Sequence, residues 1–539
     1  MKNKKLFVLP FLTCLLSFTS CSGGRGSSKI DYEPLTPQIL DDNYRNFYEI
    51  FVASFADSNG NGRGDIQGII DKFDYIKDLG YTGIWLTPIH PSATTHHYDV
   101  QDYKAVATDF GTLTKLDNLI SKCHENNIKI ILDLVINHSS NKHEWFQNSY
   151  TAAKAKKTSN QYYGYYNWID CTGSAPSGYC KVNGNDSIAY EGRFDSTMPD
   201  LNLQAVLDDN DGYLATELKD IFKFWLVDHN VDGFRLDAVT SYFTGEPEKN
   251  LAFMTWLNQE CKALKPTCYI VGEGEWGSNN LTNKMYQESG IDSFFQFGNC
   301  AKNTGFISQI INLQTARTYH NALVKNREIA NGGIEAPFLG NHDTVRAIGS
   351  VQGRGNLTNA KFNLGLLQMM AGATFSYYGD EVGMASQKSN VDGFHRLPIR
   401  WGDEYTCDIS KLSLYGVNAK DIDEALAYPY ADVATQLQDA NSLLNYVSKA
   451  NNLRLCFPEI IHGDSELVVD KSYFGLIKRT YNNSSIYVAL NASMSISEEF
   501  DYSEYGEKVV AELCPEGNLK YKVKGKSIVI PPQSIAIIK

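Results

Sequence analysis

Three acidic residues stand where short apolar runs end. Gly233-Phe234-Arg235-Leu236-Asp237 closes on an acid, and so does Tyr269-Ile270-Val271-Gly272-Glu273. A third run, Phe338-Leu339-Gly340-Asn341-His342-Asp343, leads to another. The period-two geometry of a strand puts Arg235 and Asp237 on one face. If the runs are neighbouring strands, Asp237, Glu273 and Asp343 converge on one pocket. Convergent carboxylates can do acid–base and displacement chemistry. Cleaving a glycosidic bond needs such a set: an anion or nucleophile below the ring and an acid at the leaving oxygen. Glu275, in Gly272-Glu273-Gly274-Glu275-Trp276, is a rival for Glu273. Glu273 is chosen because it follows the apolar run directly.

These residues need a frame, and the chain supplies a rhythm. From about Asn46, short apolar runs alternate with amphipathic stretches. Strands are expected at Phe47–Ser54, Gly83–Leu86, Lys129–Val135, Gly233–Asp237, Tyr269–Glu273, Asp292–Gln296, Ala336–Leu339 and Thr374–Tyr378. Helices are expected between them, at Ile66–Leu79 with Gly80 as C-cap, at Leu214–Asp228 and at Ala360–Met370. Eight strands of this kind predict an α/β fold, a (β/α)8 TIM barrel with its active site at the C-terminal strand ends. The connection after strand three is too long for a loop and reads as an inserted domain. After about Phe457 helices give way to alternating strands, a C-terminal antiparallel β-sandwich domain. The expected division is barrel over 44–138, insert over 139–202, barrel again over 203–456, and β-domain over 457–539.

The first residues carry an address. Met1–Lys5 is basic and Leu6–Phe18 is apolar but too short to span a bilayer. The run ends in Phe18-Thr19-Ser20-Cys21, which resembles a bacterial lipoprotein cleavage site, with Phe18 where leucine is usual. Residues 1–20 are expected to be a lipoprotein signal peptide, Cys21 the lipid-bearing residue, and 21–43 a flexible tether. The expected location is extracytoplasmic, on a bacterial membrane. Eleven cysteines show no paired metal spacing; Cys171/Cys180 and Cys261/Cys268 are the closest pairs, and connectivity cannot be read from them. Net charge is −13, and removal of Lys2, Lys4 and Lys5 with the signal takes it to −16. This balance excludes nucleic acid as the expected partner and suits a neutral ligand.

The ordered motifs together resemble the α-amylase family, glycoside hydrolase family 13, over nearly the whole chain from Asn46. The segments that carry the resemblance are Asp133-Leu134-Val135-Ile136-Asn137-His138, Gly233–Val239, Gly272-Glu273, Gly340–Asp343 and His96-His97-Tyr98-Asp99-Val100-Gln101-Asp102-Tyr103. The resemblance implies retention through a covalent intermediate. Asp237 would be the nucleophile, Glu273 the general acid and then base, and Asp343 the residue that grips ring hydroxyls. Arg235 would hold Asp237 ionised and oriented. Three carboxylates in one pocket raise one another's pKa, which favours a protonated acid among them. Tyr98 would stack on a glucose ring; Asp99, His138, His342 and Arg346 would complete the substrate contacts. His97 replaces a usual glycine, and Thr240-Ser241 replace a usual Lys-His on the aglycone side.

Calcium is the expected cofactor. Asp57-Ser58-Asn59-Gly60-Asn61-Gly62-Arg63-Gly64-Asp65 sets oxygen ligands at alternate positions, although Gly68 at the twelfth place rules out an EF-hand. The loop resembles one that binds calcium in the oligo-1,6-glucosidase branch, with Asp57, Asn59, Asn61, Asp65 and the Arg63 carbonyl as ligands. Asn137 matches a second calcium ligand of some relatives. Met198-Pro199-Asp200-Leu201-Asn202 is similar to a form intermediate between the oligo-1,6-glucosidase and neopullulanase branches. The expected activity is an endo-acting α-amylase on starch-like α-glucans. A neopullulanase, maltogenic amylase or 4-α-glucanotransferase is the enzymatic alternative, and a non-catalytic glycan-binding protein the remote one.

Overall fold

The computed structural model describes residues 32–274, 280–299, 310, 312–350, 356–386, 390–516, 519–521 and 525–539. The expected signal, Cys21, the first part of the tether, Glu275 and Trp276 lie outside the described residues.

The chain opens with parallel strands β1 (Asn46–Ile50), β2 (Gly83–Leu86) and β3 (Lys129–Leu134). The long connection that follows holds β4 (Trp168–Asp170), β5 (Tyr179–Cys180) and β6 (Ile188–Glu191). The parallel sheet then resumes with β7 (Gly233–Leu236), β8 (Tyr269–Gly272), β9 (Ser293–Phe294) and β10 (Thr374–Tyr377). Its order is β10-β1-β2-β3-β7-β8-β9. The expected seventh strand is reduced to two parallel bridges, Phe295 to Ala336 and Phe338 to Phe375, which close the ring. Pro337 stands between them and has no N–H to give to a ladder. The result is a TIM barrel.

Both faces of these strands are covered, so they read as continuous apolar runs. The barrel interior is a packed core: Phe47 stacks on Tyr269 at 5.2 Å and on Phe375 at 4.8 Å. Each ring so buried contributes about 1.5–3 kcal/mol. Helices cover the outside. In Leu113–Glu125, Thr112 caps the N-terminus by accepting from Lys115 N, and Leu116, Leu119, Ile120 and Cys123 form the buried stripe.

Three expected elements differ in extent. The helix over 66–79 is two helices, Ile66–Asp71 and Phe73–Asp78, broken at Lys72. The break lays the Lys72 ammonium over the Trp401 and Tyr405 rings and against Asp403 at 2.6 Å. Strand one stops at Ile50, and Val52–Ser54 coils so that the Ser54 hydroxyl donates to Arg396 O at 2.7 Å. The helix near 214–228 runs Tyr213–Lys223 and widens into a π-turn, Phe224–Asp228.

In the insert, β4, β6 and β5 pair antiparallel, and Phe146, Trp168 and Tyr190 form a small aromatic core. An antiparallel bridge from His138 to Asp200 pins it to the barrel, and one from Tyr166 to Leu201 ties its own last residues back to it.

The C-terminal part is antiparallel: β11 (Asp464–Asp470), β12 (Phe474–Tyr481), β13 (Ser484–Asn491), β14 (Glu498–Asp501), β15 (Val509–Leu513), β16 (Lys520–Tyr521), β17 (Ser527–Ile530) and β18 (Ser534–Ile538). A five-stranded sheet, β11-β12-β13-β18-β15, accompanies a three-stranded one, β14-β17-β16. Alternate residues divide the work. Ile477, Val488 and Ile537 join the core of the helices Leu357–Gln368 and Leu443–Leu455, while Leu476, Ala489 and Ile538 join Phe500 and Ile528. Among the described residues, eight cysteines are free thiols and no helix is long and apolar enough to cross a membrane.

Candidate active site

The barrel brings Asp237, Glu273 and Asp343 to its C-terminal strand ends, on one connected set of contacts. Arg235 is its hub. The register that sets Arg235 beside Asp133 of β3 and Val271 of β8 buries the guanidinium completely. It reaches Asp237 Oδ1 at 2.6 Å, Asp133 Oδ1 at 3.0 Å and Glu273 Oε2 at 3.2 Å. The Trp85 and Tyr98 rings flank it. Asp343 completes the set from the other side. Its Oδ2 meets His342 Nε2 at 2.9 Å, and its Oδ1 meets Arg396 at 2.6 Å. The Tyr98 hydroxyl joins the halves, donating to Asp133 Oδ2 at 3.0 Å and facing His342 Nε2 at 2.5 Å. The side chains of Asp237, Glu273 and Asp343 keep 11%, 14% and 29% exposure, whereas Arg235, Asp133 and His342 keep none. The three acids, with the partly exposed Tyr98, are thus members of the set that a ligand can touch.

Electrostatics separate their roles. Burial pushes the Asp237 carboxyl up, Arg235 pulls it back, and Asp343 adds to the rise. Burial also lifts Asp133, to about 7, against the pull of Arg235. Burial would raise Asp343 too, but the His342 imidazolium, with Arg396 and Arg235, holds it well below the carboxylate range. Burial would lower His342, yet Asp343 and Glu49 push it up to about 10.

The backbone is strained beside the reacting groups. Ala238 follows Asp237 in the left-handed region at φ 49°, and its N–H donates to Glu273 Oε2 at 2.7 Å. A side-chain-bearing residue there costs roughly 1–2 kcal/mol. Gly274 turns the chain after Glu273 at φ 80°, where a Cβ would lie 2.3 Å from Phe295 O. His97 adopts φ 62°, the conformation a glycine would supply, held by its Nδ1 on His90 O at 2.7 Å and its ring against Phe110. The chain therefore makes the glycine-like turn with a histidine.

The expected contacts fall into two groups. Tyr98 lies on the pocket, its ring stacked on His342 at 5.4 Å. His138 is buried beside Phe194, and burial pushes it down to about 4, so the ring is neutral. Two residues depart from expectation. Asp99 is turned into its own loop, where Ser92, Thr94 and the Ala93 N–H take both carboxyl oxygens. Its place at the head of the turn, rather than sugar, uses its hydrogen bonds. Arg346 is wholly buried in the wall: it donates to Tyr378 O at 2.6 Å, pairs with Asp380 at 3.1 Å and lies over Tyr377. Three residues without an expected role belong to the site: Asp133, Arg396 and Glu49. Asp133 stood in a quoted motif, so a signal existed for it; Arg396 stood in none. Glu49 read only as part of a strand.

Beyond β7, Asn167, Glu191, Arg193, Asn202, Ser241 and Thr244 line a polar pocket between the insert and the barrel. In the Asp57–Asp65 loop, Asp57 accepts from Asn59 N, Gly60 N and Gly62 N, while Asp65 accepts from Ser58, Asn59 Nδ2 and Gly68 N. Asn59 and Asn61 present their side-chain oxygens to the next N–H but one. Two carboxylates and two amides in one turn form the oxygen-only donor set that calcium takes. Among the described residues no group of three or more His, Cys, Asp or Glu gathers as a metal site.

Known proteins share this architecture. The model of the α-amylase catalytic domain matches residues 49–463. Alpha-amylase 3 of Dictyoglomus thermophilum is 33% identical over 92% of this chain and 93% of its own. An oligo-1,6-glucosidase of Parageobacillus thermoglucosidasius is 27% identical over 83% of this chain and 89% of its own. The solved structure of Eubacterium rectale Amy13B superposes with a TM-score of 0.83 at 33% identity, covering 94% of this chain and 97% of that one. A closed barrel with its acids on the ends of β7, β8 and the 336–338 stretch, matched along most of its length, establishes that this chain is an enzyme of the α-amylase family of glycoside hydrolases.

Proposed function

We propose that this enzyme is an endo-acting, retaining α-amylase that hydrolyses α-1,4-glucosidic bonds in starch-like glucans. The carrying observation is the single buried guanidinium that touches both Asp237 and Glu273. Sharing one cation keeps the two carboxyls close, in keeping with the retaining arrangement (about 5 Å apart) rather than the wider inverting one. Asp237 attacks the anomeric carbon as Glu273 protonates the leaving oxygen. Glu273 then draws a proton from water, which displaces Asp237. Asp343, kept ionised by His342 and Arg396, binds ring hydroxyls, with Tyr98 stacked on the sugar. A product time-course on amylose, pullulan and panose tests this. Internal cleavage of amylose to a spread of maltooligosaccharides is expected. Panose from pullulan, or products longer than the substrate, would replace it with a neopullulanase or glucanotransferase reading. That reading draws on the polar pocket beside Ser241, where an acceptor sugar rather than water would sit. Absence of any new reducing ends from starch would leave a binding protein.

Calcium is proposed as a structural ion. Asp57, Asn59, Asn61, the Arg63 carbonyl and Asp65 would hold it, and its charge would offset the two carboxylates of the loop. The loop in turn carries the segment 405–411, through Asp57 N to Tyr405 O and Asp408 N to Gly62 O, both 2.9 Å. Chelation is therefore expected to lower the melting temperature by on the order of 5 °C, restored by added calcium. A D57N/D65N protein should lose that calcium-dependent shift. A wild-type melting curve indifferent to chelator removes the ion from the description.

The lipid anchor is likewise proposed, with Cys21 as its site. Cys21→Ser should move the enzyme from the membrane fraction to the soluble one and abolish incorporation of labelled palmitate. A variant that stays membrane-bound and labelled rejects Cys21.

A further inference from the structure

Glu49 on β1 is 1% exposed and takes no part in the chemistry above. Its Oε1 accepts from two donors of one residue: the His342 backbone N–H at 3.2 Å and the ring Nδ1 at 2.6 Å. The other ring nitrogen, Nε2, faces Asp343 Oδ2 at 2.9 Å and the Tyr98 hydroxyl oxygen at 2.5 Å. That hydroxyl gives its own proton to Asp133, so it presents a lone pair to the ring. His342 thus meets acceptors through both nitrogens. A neutral ring has one N–H and would set a lone pair against an acceptor.

We propose that Glu49 is a positioning residue of the active site: with Asp343 it holds His342 as a doubly protonated imidazolium, so that Nε2–H always donates toward the pocket. The inference rests on the reading of Asp343 as a sugar-binding acid, and it adds what sets the charge beside that acid.

The surroundings favour the charged ring. Asp343 and Glu49 touch it, and Asp133 and Asp237 act on it from β3 and β7. Arg235 stands against it from β7. From the loop after β10, Arg396, whose Nε donates to His342 O at 3.0 Å, and His395 also stand against it; His395 is pushed down to about 4 by burial and is neutral. Tyr377 and Asp380 face Glu49 on its other flank. Burial lifts the Glu49 carboxyl, and the imidazolium pulls it back. The ring's pKa is raised in the folded state. Its contribution to stability is therefore complete below its ordinary value near 6.5 and lost as pH rises through the folded value near 10.

Glu49→Gln isolates the charge. An amide oxygen can still accept from Nδ1–H and from the backbone, so the ring stays in place while one anion is gone. The alkaline limb of kcat/KM on maltooligosaccharides is expected to move from near 10 toward acid by at least about one pH unit, so that kcat falls about twofold at pH 9 and further above it, with less change in KM. Glu49→Asp should restore the limb in part. In a His342→Asn background, Glu49→Gln should add nothing beyond about twofold. Nitrogen-15 spectra of histidine-labelled wild-type enzyme, assigned with His342→Asn, should show both His342 nitrogens protonated at pH 8. A neutral His342 in the wild type, or a Glu49→Gln pH profile superposed on the wild type's, overturns the proposal. If Glu49→Gln fails to fold, the wild-type spectrum alone decides. A wild-type enzyme inactive on every glucan would refute the amylase reading on which this one rests, while the nitrogen-15 spectra still decide the protons of His342.

Discussion

Asp237→Asn is expected to slow starch hydrolysis roughly 10⁴-fold or more while leaving the fold intact. The amide matches the carboxylate in shape and can still accept the 2.6 Å bond from Arg235, but it cannot form the glycosyl ester. Arg235 keeps its contacts with Asp133 and Glu273, so the substitution does not leave the guanidinium without partners. Stability should move the other way from activity. The Asp237 carboxyl is raised by burial and by Asp343, so its ionised form works against folding. A group with a raised folded pKa of this kind is least costly when protonated, and its penalty grows as pH climbs above the ordinary carboxylate range. Removing the charge at pH 7 should hold or lift the melting temperature by about a degree or two, the usual sign of a site whose charges serve catalysis rather than stability. Reducing-end assays and thermal melts on the same preparation check both halves. Near-normal turnover would exclude Asp237 as nucleophile; lost turnover with a collapsed melt would make it structural.

How far the sequence reaches is clear from particular residues. Asp237, Glu273 and Asp343 were legible because each ends an apolar run, and a parallel barrel has only one end where such termini can meet. The same rule placed Arg235, two residues before Asp237. Charge ownership was not legible. Glu49 and His342 are 293 positions apart, and nothing in Tyr48-Glu49-Ile50 distinguishes a partnered acid from a solvated one. Nor was Arg396 legible: its grip on Asp343 depends on Val52–Ser54 leaving the strand early so that Ser54 holds the Arg396 carbonyl. Asp99 shows what motif reading does not weigh: short polar side chains close on their own loop when Ser92 and Thr94 are within reach, and here they engage its carboxyl. Arg346 was likewise taken for a contact, and tertiary burial between Tyr377 and Asp380 assigned it to the wall.

Glu273→Gln should produce a loss that depends on what is leaving. With starch, whose leaving group is a sugar alkoxide, protonation carries a large part of the barrier, and a fall of roughly 10³-fold is expected. With an activated aryl maltoside the leaving group departs without help, so the first step should survive far better, and hydrolysis of the intermediate, which needs the same residue as base, should become limiting. The structure gives this variant a fair trial. Glu273 Oε2 accepts from the Ala238 N–H at 2.7 Å, and an amide oxygen can take that bond, so the left-handed turn after Asp237 keeps its tie across to β8. The contact with Arg235 at 3.2 Å is one an amide oxygen can keep, as the protonated acid does, while Asp237 and Asp133 still hold the guanidinium. The two substrates therefore separate proton donation from positioning. If both fall by the same factor, Glu273 orients the site without donating, and Glu275 becomes the acid to test. If neither falls, Glu273 is not the acid, and Glu275 becomes the one to test. Only a gap that widens as the leaving group worsens assigns the proton to Glu273, because positioning lost through Ala238 or Arg235 would penalise both substrates alike.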